Sequence, residues 1–164
     1  ESILLYLMSS WISHLPEEIK YKRVIGHGLN HTELERNYRL NTFWIQDLNR
    51  DKKLPLENSS IDFCLMVAAW QYLQYPEEIV AEIFRSLSIK GKIIVSFSNR
   101  AFWTKTPNVW RNGTDNDHIE YVKTILCSQG FSDIEVVIQE GESKGINRFL
   151  GIRGDPFFSV IGTK

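Results

Sequence analysis

The chain has 164 residues, of which 43% are apolar and 24% charged, with a formal charge of −1. That size suits a single domain with a two- or three-layer core, and the composition excludes a disordered chain. A near-neutral balance offers no basic face for nucleic acid, and no apolar run reaches the roughly 18 residues needed to span a bilayer.

Apolar runs of strand length alternate with helical patterns from end to end, which predicts a parallel sheet with crossover helices. The first strand is Ile3 to Met8, and a short helix over Ser10 to Glu18 follows, with Pro16 inside it. Arg23 to His27 reads as the second strand, and Thr32 to Arg36 as a short helix with Thr32 at or near its cap. Phe43 to Gln46 is a third strand ending at Asp47, and Ile61 to Ala69 is a central strand buried on both faces. Pro76 opens a helix, with Glu77 and Glu78 in its first turn and Ile79, Ile83, Phe84 and Leu87 on one face. Gly91 marks a turn before a fifth strand, Lys92 to Phe97. His118 to Ser128 is helical, with Ile119, Val122, Ile125 and Leu126 on one stripe and Gly130 as its stop. Asp133 to Gln139 and Phe157 to Gly162 are the last strands, joined by a polar segment from Glu140 to Asp155.

The basic clusters Lys20-Tyr21-Lys22-Arg23 and Arg50-Asp51-Lys52-Lys53 read as solvated turns. Cys64 and Cys127 lie inside apolar patterns and are expected to be small buried hydrophobes in a reducing compartment. A chain that opens at Glu1, directly on a strand, implies further residues upstream.

Ligands of such sheets bind outside the carboxyl ends of the strands, where the strand order reverses. The residues just after each strand are therefore the candidates. They are Ser9, Ser10 and Trp11; Gly28 and Asn30; Asp47 and Leu48; Ala69, Trp70, Gln71 and Tyr72; and Ser98, Asn99 and Arg100.

From Asp47 through Leu54-Pro55, Ile61-Asp62 and the helix at Pro76 to "LSIKGK" and "VSFSN", the chain resembles class I S-adenosylmethionine-dependent methyltransferases of the type 11 kind. The family's Leu-x-Pro-Gly-Gly turn is matched by Leu87 and Gly91, without the Pro and the first Gly. The resemblance implies a three-layer, Rossmann-like, seven-stranded α/β fold, mostly parallel with an antiparallel last strand. It also implies methyl transfer from S-adenosylmethionine to an acceptor the sequence does not name, with no metal. "LMSSWISHLP", "GHGLN" and "VSFSNR" resemble a methyltransferase-like subfamily of photosynthetic microbes and plastid-bearing organisms, which implies cytoplasm or plastid stroma.

Two departures stand out. The family's Asp/Glu-x-Gly-x-Gly-x-Gly loop lets backbone approach the cofactor with no Cβ in the way. Here it reads Tyr6-Leu7-Met8-Ser9-Ser10-Trp11, with serines as donors and Trp11 either stacking on the ligand or filling its place. The ribose-binding acid after the second strand falls near Gly28, leaving Asn30 as a weaker neutral partner. Asp47 either meets the adenine amino group or forms a turn with Leu48 and Asn49.

His27 and His31 are four apart but straddle a strand end with no third ligand, so no metal site is expected. No Gly-x-Ser-x-Gly elbow appears, and neither cysteine has a base nearby. Among Trp70, Tyr72, Tyr75, Phe102, Trp103 and Trp110, the last three lie in a polar loop after the fifth strand. Tyr72, Asn99, Arg100 and Trp103 are assigned to substrate or interface. His14, His27 and Tyr72 are conceivable bases. Two functions remain open: a methyltransferase with a serine loop, or a non-catalytic subunit docked on a protein partner. A third is a binder of another small molecule.

Overall fold

The computed structural model describes residues 2–98, 106, 108–141 and 154–164. Seven strands form one sheet: β1 (Ile3–Leu7), β2 (Arg23–Gly28), β3 (Thr42–Ile45), β4 (Ile61–Val67), β5 (Leu87–Ser98), β6 (Ser132–Gly141) and β7 (Gly154–Thr163). Their order is β3-β2-β1-β4-β5-β7-β6. The first five run parallel, and β7 is antiparallel to both β5 and β6. The helices are α1 (His31–Glu35), α2 (Pro76–Ser86), α3 (Asn108–Asn112) and α4 (Asp115–Ser128). The order reverses between β1 and β4, so the predicted switch point lies at their carboxyl ends.

One sheet face carries most of the core. Leu5 and Leu7 of β1, Cys64 and Met66 of β4, and Ile93, Val95 and Phe97 of β5 are buried against Ile79, Val80 and Ile83 of α2. Val122, Ile125 and Leu126 of α4 complete it, which is the stripe read from the sequence. The other face holds a smaller cluster of Leu4, Tyr6, Val24 and Leu65, covered by Leu15.

Asp62 explains a carboxylate inside an apolar strand. It accepts the Ile3 amide (2.8 Å) and the Ser88 hydroxyl (3.0 Å), tying the starts of β1 and β5 to β4.

Five local expectations are corrected or sharpened. No helix forms over 10–18: the Ser13 hydroxyl oxygen takes the Leu15 amide (3.2 Å) in a local turn, and Pro16 has no amide to give. The cap of α1 falls on Asn30, two positions before Thr32: its side-chain oxygen accepts the Glu33 amide (3.3 Å). The turn at Gly91 is absorbed into β5 as a bulge, where pairing slips between Ile61 and Phe63. Cys127 is exposed, one position off the buried stripe, whereas Cys64 is sealed in β4. Trp110 sits in α3 and is buried against Phe97, with ring centroids 5.1 Å apart.

Lys90, where the resembled family has the first glycine of its turn, keeps a left-handed φ of 66°. An L-residue there costs about 1 kcal/mol or more. Lys90 is exposed, so Lys90→Gly is expected to stabilise the fold by about 1 kcal/mol, less the entropy glycine adds to the unfolded chain. Thermal melting is expected to show a rise of a few degrees; a fall shows that the lysine side chain matters more than its backbone strain. By contrast, a Cβ at Gly91 would lie 2.8 Å from the Ser88 carbonyl and 3.0 Å from that of Asp62, so backbone crowding requires glycine there.

Candidate functional site at the carboxyl edge

The carboxyl ends of β1 and β2 are joined through one histidine. His27 is 1% exposed, and its ring lies beside that of Trp44, with centroids 5.1 Å apart. The Met8 amide donates to His27 Nδ1 (3.1 Å), so the neutral ring carries its proton on Nε2 and donates to the Gln46 carbonyl (2.8 Å). Ser9 adds two bonds, its amide (2.7 Å) and its hydroxyl (3.2 Å) both donating to the His27 carbonyl. Burial pushes the imidazole down from 6.5 to about 4, against the opposing effects of the Gln46 bond and the Asp47 charge. His27 is therefore a neutral tie between three strand ends, and neither ring nitrogen is available as a base.

Gly28, at the place of the missing ribose acid, is part of the same arrangement. A Cβ built there would lie 2.6 Å from the Ser9 carbonyl oxygen and 3.2 Å from Leu34. No acidic side chain fits while the loop after β1 holds this position. The residue at position 28 and the path of the loop after β1 are thus sterically linked. Met8, at the place of the first glycine, still keeps a φ of 53°.

Ser10 is half-buried, and its carbonyl accepts from the buried Asn37 side chain (2.8 Å). Trp11 is 59% exposed and does not fill the edge. Asn30 both caps α1 and donates to the Glu33 carboxylate (3.3 Å). Tyr6, in the position of the family's first acid, hydrogen-bonds His14 Nδ1, and burial holds its phenol at about 12.

The ends of β3 and β4 form a second unit. Asp47 makes the turn: Oδ1 accepts the Asn49 amide (3.0 Å), and its carbonyl accepts the Arg50 and Asp51 amides. Asn49 then bridges to the β4 loop, donating to the Tyr72 carbonyl (3.1 Å) and accepting the Gln74 amide (2.8 Å). Leu48 and Ala69 are buried in the main core. Trp70–Tyr72 form a single 3-10 turn, with Trp70 only 1% exposed. The buried Gln71 donates to the Ala68 carbonyl (3.2 Å) while its Oε1 has no partner among the described residues. Tyr72 is half-buried. Asn99, Arg100 and Trp103 lie outside the described residues.

His27, Asn37 and Asn49 are the organising side chains that reading strand ends alone did not single out. Near β5, His118 stacks on Trp110 with centroids 4.2 Å apart and donates from Nε2 to its carbonyl (3.0 Å). A cleft of about 540 Å³, lined in part by Glu17, Lys20, Val24, Arg39 and Asn41, lies at the opposite, amino edge of β2 and β3. No group of three metal-ligating side chains occurs among the described residues, and no helix there is long and apolar enough to cross a membrane.

A nucleoside cofactor of the kind the resemblance implies fits this edge only in part. At the adenine end the chemistry is compatible: the Asp47 carboxylate past β3 is half-exposed, and past β4 the buried Gln71 oxygen has no partner among the described residues. The ribose and amino-acid ends do not fit this arrangement, because the Met8 and Ser9 amides are held by His27 and Gly28 stands for the acid.

A family model described as a methyltransferase domain matches residues 12–95, just over half of the chain. No curated protein sequence matches. Solved structures match in fold at low identity. A SAM-dependent methyltransferase from Thermotoga maritima has TM-score 0.69 and 19% identity, covering 100% of this chain and 82% of its own. An S-adenosylmethionine dependent methyltransferase from Mesorhizobium loti has TM-score 0.67 and 15% identity, covering 99% and 91%. Haemonchus contortus phosphoethanolamine N-methyltransferase 2 in complex with S-adenosyl-L-methionine has TM-score 0.66 and 14% identity, covering 99% of this chain and 48% of its own. Strand order and the match over residues 12–95 agree: this chain belongs to the methyltransferase domain family.

Proposed function

We infer that the chain binds S-adenosylmethionine at the carboxyl edge of β1 to β4 and directs its methyl group to an acceptor. The observation that carries this reading is the intact second unit of the edge. There Asp47 is held in place by its own turn, and Asn49 locks that turn to the β4 loop. In this reading Asp47 accepts the adenine amino group, and Leu48 and Ala69 to Gln71 form the adenine wall. S-adenosylmethionine arrives as an activated methyl donor, so the chain's contribution is to orient the acceptor and exclude water. His27 and His14 hold hydrogen bonds within the fold, which leaves no base to assign to either.

A thermal-shift titration with S-adenosylmethionine and S-adenosylhomocysteine tests the reading. A ligand at a hundred times its dissociation constant adds about 2.7 kcal/mol. A rise in midpoint that disappears in Asp47→Ala is expected; no shift at millimolar ligand overturns it. In that case the second reading stands, a non-catalytic family member docked on a protein partner. One observation favours it: the amides that usually meet the cofactor are both bonded inside the fold.

A further inference from the structure

We propose that His27 and Gly28 form a latch holding the loop after β1 closed, and that any ligand at this edge must displace the latch to reach the Met8 and Ser9 amides. The cofactor part of this proposal rests on the reading given above; the latch itself rests on geometry.

Three hydrogen bonds converge on one residue of β2. The Met8 amide meets the ring, and the Ser9 amide and hydroxyl meet the carbonyl, at 3.1, 2.7 and 3.2 Å. The ring is fixed from behind by the Gln46 carbonyl, so it cannot turn away without leaving a buried donor unpaired. Gly28 lets the Ser9 carbonyl come down: any Cβ would lie 2.6 Å from that oxygen. Asn37 holds the next carbonyl, that of Ser10, at 2.8 Å. The loop is therefore a built closure, with partners for the Met8 and Ser9 amides, the Ser9 hydroxyl and the Ser10 carbonyl.

Such a closure acts as an energetic gate. Apparent affinity falls by the fraction of molecules that are open, so weakening the latch raises affinity without adding a contact to the ligand. A ligand bearing a carboxylate is the chemistry that can replace His27, since it accepts from adjacent amides more strongly than a neutral ring and a carbonyl.

The test compares wild type with His27→Phe, which removes the ring acceptor, and Gly28→Ala, which drives a methyl against the Ser9 carbonyl. Amide hydrogen exchange at Met8 and Ser9 reads the latch without any ligand, and the amides of Ile93 and Val95 in β5 report whether the sheet is intact. Both loop amides are expected to be protected in wild type and to exchange at least about tenfold faster in the variants. Calorimetric titration with S-adenosylhomocysteine is then expected to give a dissociation constant about tenfold lower in the variants. Free exchange at Met8 and Ser9 in wild type overturns the latch. Faster exchange with unchanged affinity overturns its role as a gate. Protected amides that open in the variants, with no binding to any form, uphold the closure and overturn the cofactor reading instead.

Discussion

Between pH 6.5 and about 4 the folded chain is expected to lose about 3 kcal/mol of stability through a single residue, His27. Its imidazole stays neutral in the fold because burial disfavours the charged form, and its Nδ1 is occupied by the Met8 amide. The unfolded chain takes up a proton as the pH falls below 6.5, so over this window it binds more protons than the fold. Stability is therefore fully present above 6.5, declines with falling pH, and the loss is complete below about 4. The slope of one proton is about 1.4 kcal/mol per pH unit. Glu82 acts at lower pH: its hydrogen bonds to Arg85 hold the carboxyl below its usual range, and its contribution fades only as the pH falls through that depressed value. Urea denaturation at several pH values is expected to show the His27 slope in wild type and its absence in His27→Gln. Equal slopes in the two proteins refute the neutral-tie assignment.

Replacing Trp70 with alanine is expected to cost about 3 to 5 kcal/mol, the range for a large buried aromatic. The indole is enclosed in the main core just past β4, so the loop that carries Gln71 and Tyr72 loses its anchor. Trp70→Phe is expected to behave differently. The indole N–H is buried with no partner among the described residues, so phenylalanine gives up some ring contact but also removes an unsatisfied donor. A cost below about 1 kcal/mol is the expected balance. Denaturant midpoints at constant m separate the two variants. If phenylalanine costs as much as alanine, the indole nitrogen has a partner and the account fails.

The sheet was legible because each strand is an apolar run of the right length and each long crossover helix carries one stripe. The residues just past β1 to β5 lie along one edge for the same reason, because those strands run parallel. It could not find what those residues do once the loops meet. Ser9 bonds His27 and Asn30 caps α1, roles that a position at a strand end does not by itself specify. The Asn30 role had a local signal, a capping residue three positions before Glu33. The Ser9 role had none, since His27 lies 18 residues away on another strand. Trp110 was hidden by its polar neighbours Asn108, Arg111 and Asn112, although its ring packs on Phe97. Cys127 was legible in principle, because a 3.6-residue period puts it off the stripe of Val122, Ile125 and Leu126.

That last position has a practical side. The chain contains two cysteines, and only Cys127, on the outer side of α4, meets solvent; burial pushes the Cys64 thiol up and keeps it protonated. A maleimide dye or spin label added to the native sequence therefore attaches at one rigid helical position. The molecule comes with its own single-site reporter attachment point, and no engineered thiol is required.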